Sequence, residues 1–198
     1  MVVTKSDCAN QSGTPYFDAF VRHERGRIAM AWHEAGHLVA GVLNGGVVAS
    51  AAVVDGRVKS GLVSAPTGAT TFTGGTLAST RHAMTAYAGP WAQAYGRVRR
   101  RPSSHEVSAM MAGDRCKDRE VLLAAGGVDV GEPVAELLQR FVPSLSTLAE
   151  LLWRTGKASH SDVLRAMGLS EDASTRALEL SMVRSGADVG SFKVSRPG

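Results

Sequence analysis

The chain has 198 residues, 44% of them hydrophobic and 20% charged, with a formal net charge of +4. That is enough to bury one real core with room for a small appendage, and the balance is that of an ordinary globular protein. Two cysteines, Cys8 and Cys116, stand far apart without a CxxC companion, which excludes a cysteine zinc cluster and suits a reducing cytoplasm, the expected location.

Met1 to Pro15 is polar and reads as a flexible N-terminus, without the apolar core that a secretory signal needs. A helix is expected from Ile28 to Leu43, stopped by Asn44-Gly45-Gly46. The longest uncharged apolar stretch, Leu38 to Val54, falls short of the ~20 residues of a membrane span and is interrupted by that same stop, so no span is expected. Val47 to Val54 is small and β-branched, Asp55-Gly56 reads as a hairpin turn, and Val58 to Ser64 is the expected return strand. Pro66 to Gly75 is rich in Thr and Gly and reads as an exposed loop.

Leu77 to Tyr95 resumes a helical pattern with a break at Gly89-Pro90. The run Arg97, Arg99, Arg100, Arg101 with Pro102 marks a connection; few aromatics and no DNA-binding signature accompany it, so nucleic acid is not the expected partner. Ser104 to Ala125 reads as one helix, or two joined at Gly113, ended by Gly126-Gly127. Pro133 to Trp153 is amphipathic, with Val134, Leu137, Leu138 and Phe141, then Leu145, Leu148, Leu151 and Leu152 at helical spacing around Pro143. Ser159 to Met167 is expected as a short capped helix, and Glu171 to Gly198 as a basic, poorly patterned tail. The sum is an α+β chain, mainly α-helical, with a flexible terminus over 1–15, one domain over 16–170 and a tail over 171–198. There is no internal repeat and no GxxxxGK[ST] phosphate loop.

The most specific word is His33-Glu34-Ala35-Gly36-His37 inside the first helix, an HExxH pattern. Positions i and i+4 share a helical face, so His33 and His37 can present nitrogens to one metal ion, expected to be Zn²⁺. Glu34 is turned about 100° away, out of the ligand shell but within reach of a water at the metal, as a general base requires. Two histidines and a glutamate among Ala29, Met30, Ala31, Trp32, Leu38 and Val39 would be costly to bury without a partner, and a metal is the economical one. Two ligands are too few, because a catalytic zinc takes a third protein ligand and keeps one position open. A metzincin continuation is excluded by Ala40 and Leu43, where its glycine and third histidine belong. The downstream acids available are Asp55, Glu106, Asp114, Asp118 and Glu120. His23, His82, His105 and His160 lack i+4 partners and are expected to be exposed, His105 beside Glu106 being the one candidate for oxyanion assistance.

Ala31-Trp32-His33-Glu34-Ala35-Gly36-His37-Leu38-Val39-Ala40 resembles the HEAGH helix of the FtsH-type peptidases, the zinc-dependent part of ATP-dependent membrane proteases. The Val47 to Ser64 segment is similar to that family's small β element, and Ala86-Tyr87-Ala88-Gly89-Pro90-Trp91-Ala92-Gln93 to a helix start in which Gln93 replaces the usual glutamate. Ser159-His160-Ser161-Asp162-Val163-Leu164 resembles the end of its peptidase domain. The resemblance implies a third ligand from an aspartate opening a later helix: Asp118, followed four residues on by Leu122, or alternatively Asp114, preceded by Gly113. It implies a zinc metalloendopeptidase acting on polypeptide, with a separate ATPase or unfoldase as a partner, and it leaves an oligomer open. A catalytically silent binding or regulatory module on the same fold is the alternative, to which the Gln93 departure leaves room.

Overall fold

A computed structural model describes residues 15–55, 58–59, 62–63, 65–73, 79–112 and 116–188, the side chains of 15–19, 58–59, 62–63 and 79–80 excepted. In chain order these form α1 (Pro15–Leu43), β1 (Val47–Val54), β2 (Val58–Lys59), β3 (Leu62–Val63), β4 (Thr67–Thr73), α2 (Ser79–Val98), α3 (Ser104–Met110), α4 (Lys117–Ala124), a 3-10 turn at Val128–Val130, α5 (Val134–Arg140), α6 (Val142–Thr155), α7 (His160–Met167) and α8 (Ala173–Arg184). The architecture is α+β and mainly helical, as expected. Among the described residues no helix is long and apolar enough to cross a membrane.

The 3.6-residue period of apolar positions makes α1 the central element: Ala31, Ala35, Leu38, Val39, Val42 and Leu43 are all buried. The helix begins well before Ile28, because its polar first half is held by α6. Trp153 Nε1 donates to Glu24 Oε2 at 3.1 Å, and Arg27 Nη2 donates to the Trp153 carbonyl at 2.7 Å. α2 packs against α1 so closely that a Cβ at Gly36 would stand 2.2 Å from the Ala88 carbonyl oxygen. α2 is not broken at Gly89-Pro90; Pro90 sits inside a continuous helix. Burial of Ala83, Ala86, Tyr87, Ala88, Trp91, Ala92 and Ala94 outweighs the one backbone hydrogen bond that proline removes. Leu145, Leu148 and Leu152 of α6 complete the core.

The sheet corrects the expected hairpin. β1 pairs antiparallel with β4, from Val47↔Thr73 to Val54↔Thr67 with an irregularity between Val48 and Ser50. Val58 and Lys59 pair instead with Val63 and Leu62 in a small hairpin of their own. The segment expected as a Thr- and Gly-rich loop is thus strand β4, whose period of two is written in small residues: Gly68, Thr70 and Phe72 are half-buried, and their neighbours are exposed. The far edge of β1 is taken in part by the α6–α7 connection, through Val53 N to Gly156 O at 2.9 Å and Ala158 N to Ala51 O at 3.2 Å. Among the described residues β4 pairs on one side only, with β1.

Ser104 to Ala125 is two helices, α3 and α4, and Gly113 lies outside the described residues. α7 begins with the expected cap, a reciprocal box between Ser159 and Asp162. The stretch expected as an unpatterned tail contains α8, capped by Asp172 and burying Leu180 and Val183. Its Arg184 reaches back and donates from Nε and Nη2 to the Leu43 carbonyl, at 2.9 and 2.5 Å.

Candidate metal centre

The helical spacing of His33 and His37 puts their rings edge to face with centroids 4.7 Å apart and their Nε2 atoms 3.0 Å apart. α4 supplies the third group from its first turn: Asp118 Oδ2 lies 3.0 Å from His33 Nε2, and Oδ1 lies 3.4 Å from His37 Nε2. His33, His37 and Asp118 are the one set of three or more His, Cys, Asp or Glu groups among the described residues arranged to hold a metal ion. Asp114, the alternative third ligand, lies outside the described residues.

The other ring nitrogens are engaged from α2. His37 Nδ1 donates to the Thr85 carbonyl at 2.8 Å, which fixes its tautomer, since a carbonyl can only accept. His33 Nδ1 stands 3.0 Å from Gln93 Oε1 and donates to it. Both Nε2 lone pairs then face each other and a carboxylate, so three electron-rich groups converge. A cation is what such a set requires. Ligand atoms on a tetrahedral zinc at about 2.0–2.1 Å stand about 3.3 Å from one another, close to the separations seen here. The donor set therefore fits a divalent metal.

Without a metal the demand falls on a proton. Burial opposes a charge on His37, but the hydrogen bond and charge of Asp118, the charge of Glu34 and the Thr85 carbonyl outweigh it and raise its pKa to about 9. Burial likewise opposes the Asp118 carboxylate, and the hydrogen bonds and charges of the two histidines overcome it, holding its pKa well below the usual carboxylate range.

Glu34 is 3% exposed. Its Oε2 accepts a 2.6 Å hydrogen bond from Thr70 Oγ1 of β4, and a Cβ at Gly68, two residues earlier on the same face, would fall 2.3 Å from Oε1. Gly89 is required in the same way: its Cβ would lie 2.5 Å from His37 Nε2 and 2.9 Å from His33 Nε2. These two glycines let a strand close on Glu34 and a helix close on the two histidines.

No family model matches this chain, and no curated protein or solved structure does.

His33, Glu34, His37 and Asp118 come together as expected from the motif and the resemblance. His105 does not join them; it is exposed on α3, beside a hollow shared with Arg97 and Glu106. His160 is not exposed, contrary to expectation: Val48 N donates to its Nδ1 at 3.4 Å, its Nε2 is buried without a partner, and burial followed by the charge of Arg176 lowers its pKa. Gln93, which stands where the resembling family has glutamate, orients His33. Thr70, Gly68 and Thr85 carry no signal in the sequence, because a hydroxyl, a glycine and a backbone carbonyl become specific only when the fold delivers them.

Proposed function

We propose that the chain is a zinc-dependent endopeptidase with an FtsH-like active site, working on accessible polypeptide in the cytoplasm. The observation that carries this reading is the buried Glu34 carboxylate, held by Thr70 on the same helix as two imidazoles whose Nε2 atoms converge with Asp118. His33, His37 and Asp118 would hold the ion. A bound zinc ion would supply Lewis acidity, polarising a peptide carbonyl and acidifying a water.

The chain's own residues supply the rest. Gln93 and the Thr85 carbonyl hold the imidazoles in the one tautomer that leaves Nε2 free to ligate. Thr70 donates to Oε2 of Glu34 and holds the carboxylate in place; as general base Glu34 would take the proton of the attacking water and pass it to the departing amine. The outer edge of β4 runs past Glu34 and suits an extended substrate added as a further strand, which would favour unfolded segments over particular folded ones. A separate ATPase or unfoldase would supply such segments.

The test is metal analysis and casein cleavage with wild type and Glu34→Gln. Zinc is expected in both, with cleavage lost by a factor on the order of 10²–10⁴ in the variant. Purified protein that takes up no zinc would sink the enzyme reading. Zinc bound with both proteins equally inert would make this a catalytically silent binding module.

A further inference from the structure

We propose that the hollow beside the metal centre, between the first half of α1 and the end of α2, is a specificity subsite for an acidic side chain of the polypeptide substrate. The proposal rests on the endopeptidase reading above and adds to it a preference that the metal site does not dictate. The hollow encloses about 530 Å³. Ile28, Ala29, Trp32 and Met110 give it apolar walls, while Arg25 and Arg97 supply its charge. Gln93 belongs to the same wall and also orients His33, so metal centre and hollow share a side chain.

Ala29 precedes His33 by four residues, about 6 Å along the helix axis. Consecutive Cα atoms of a substrate are about 3.8 Å apart, so that separation along α1 corresponds to about two residues of an extended substrate.

Charge complementarity selects the occupant. Nearby basic residues are already engaged: Arg99 lies over the Trp32 ring at 5.0 Å, Arg100 pairs with Glu106 at 2.6 Å and Arg101 with Glu136 at 2.8 Å. Arg25 and Arg97 have no carboxylate partner among the described residues, and both are exposed. Glu106, the acid nearest in the neighbouring hollow, is committed to Arg100 and to the Ser103 backbone N–H. The hollow thus offers methylene-compatible walls and two guanidinium groups without a counter-charge among the described residues. A glutamate side chain meets both: its two methylenes lie on the apolar wall and its carboxylate accepts from the arginines.

The test uses labelled peptides with amidated C-termini that differ by Glu or Gln at one position, scanned across the scissile bond. Cleavage is measured with the zinc-loaded enzyme, and binding by fluorescence anisotropy with the Glu34→Gln protein. At one position the Glu peptide is expected to be cleaved and bound on the order of tenfold better than the Gln peptide. That advantage should vanish when Arg25→Gln and Arg97→Gln are combined, and turn into a preference for Lys when Arg25→Glu and Arg97→Glu are combined. Equal binding of Glu and Gln peptides at every position, an advantage untouched by the arginine changes, or no peptide binding at all would overturn the subsite. So would a Gln peptide with a free C-terminal carboxylate that binds as well as the amidated Glu peptide, since the occupant would then be a chain end. An arginine-dependent Glu preference in binding, with no peptide cleaved, would support the subsite while sinking the endopeptidase reading.

Discussion

Two Nε2 atoms 3.0 Å apart with a carboxylate beside them are the chemical fact on which the rest depends. In the metal-free protein a proton takes the cation's place, and its effect on stability has a definite sign. The pKa of His37 is raised from 6.5 to about 9, so its contribution is fully present below pH 6.5 and is lost as pH rises toward 9. Asp118 is lowered from 3.8, so its contribution is present above that pH and is lost as pH falls further. Chelator-treated protein should therefore melt highest between these two windows, and its Tm should fall by several degrees from pH 6.5 to 9. Zinc-loaded protein should not show that fall, because the ion replaces the proton. A chelated protein whose Tm stays flat over this range would mean that the three groups are not coupled as described. A second residue-scale expectation concerns Thr70, whose hydroxyl donates to Glu34. Thr70→Val keeps the shape and removes the donor, so zinc content should be retained while kcat drops on the order of tenfold, the scale of one charge-assisted hydrogen bond. Gly89→Ala should act differently, lowering zinc stoichiometry itself, because its new methyl would occupy the space between the two imidazoles.

At the scale of elements, β4 joins the sheet to the site. Its Phe72 ring fills the space over Gly41 and Gly46, where added Cβ atoms would lie 2.0 and 3.0 Å from it. Phe72→Ala should cost about 2 kcal/mol, less than a fully buried phenylalanine because the ring is half-buried. It should also lower activity at temperatures where the protein remains folded, since Thr70 and Gly68 stand on the same strand face; thermal melts and kcat measured together test this. β4 was not legible in the sequence because its inward face is Gly68, Thr70 and Phe72, a period of two with one apolar member. α1 was legible because Ala31 to Leu43 repeats apolar residues at helical spacing, and α7 because Ser159 and Asp162 spell a capping box. α8 was missed because its buried set is Glu179, Leu180 and Val183 in an otherwise polar segment. The two histidines and Glu34 were fixed by local spacing alone. Asp118 needed a resemblance to a known family, since no local pattern relates an acid on α4 to a helix so far back along the chain. The part played by Gln93 was not legible, because His33 Nδ1 reaches it only once α1 and α2 pack.

For the whole molecule, the question is what keeps α1 in place, since it carries three of the four central residues. Its C-terminal carbonyls lie at the end of the helix, where no intrahelical donor remains, and α8 supplies one from the far end of the chain. Arg184 donates twice to the Leu43 carbonyl, and Arg140 of α5 donates to the carbonyls of Val183 and Ala187, tying the end of α8 to the bundle. A cation there also suits the negative end of the α1 dipole. Arg184→Ala should cost about 1–2 kcal/mol, reduced from the value of a fully buried charged bond because the guanidinium is partly solvated. At about 2–4 °C per kcal/mol for a chain of this size, Tm should fall by about 2–8 °C. Arg184 lies outside the metal centre, so zinc stoichiometry and kcat well below the melting range should be unchanged. Arg184→Lys should recover part of the loss, because an ammonium can still donate to Leu43 but cannot make the paired contact. If removing Arg184 left Tm unmoved, α8 would be a passenger on the fold; if it lowered zinc binding at low temperature, the end of α1 would be coupled to its centre more tightly than these contacts account for.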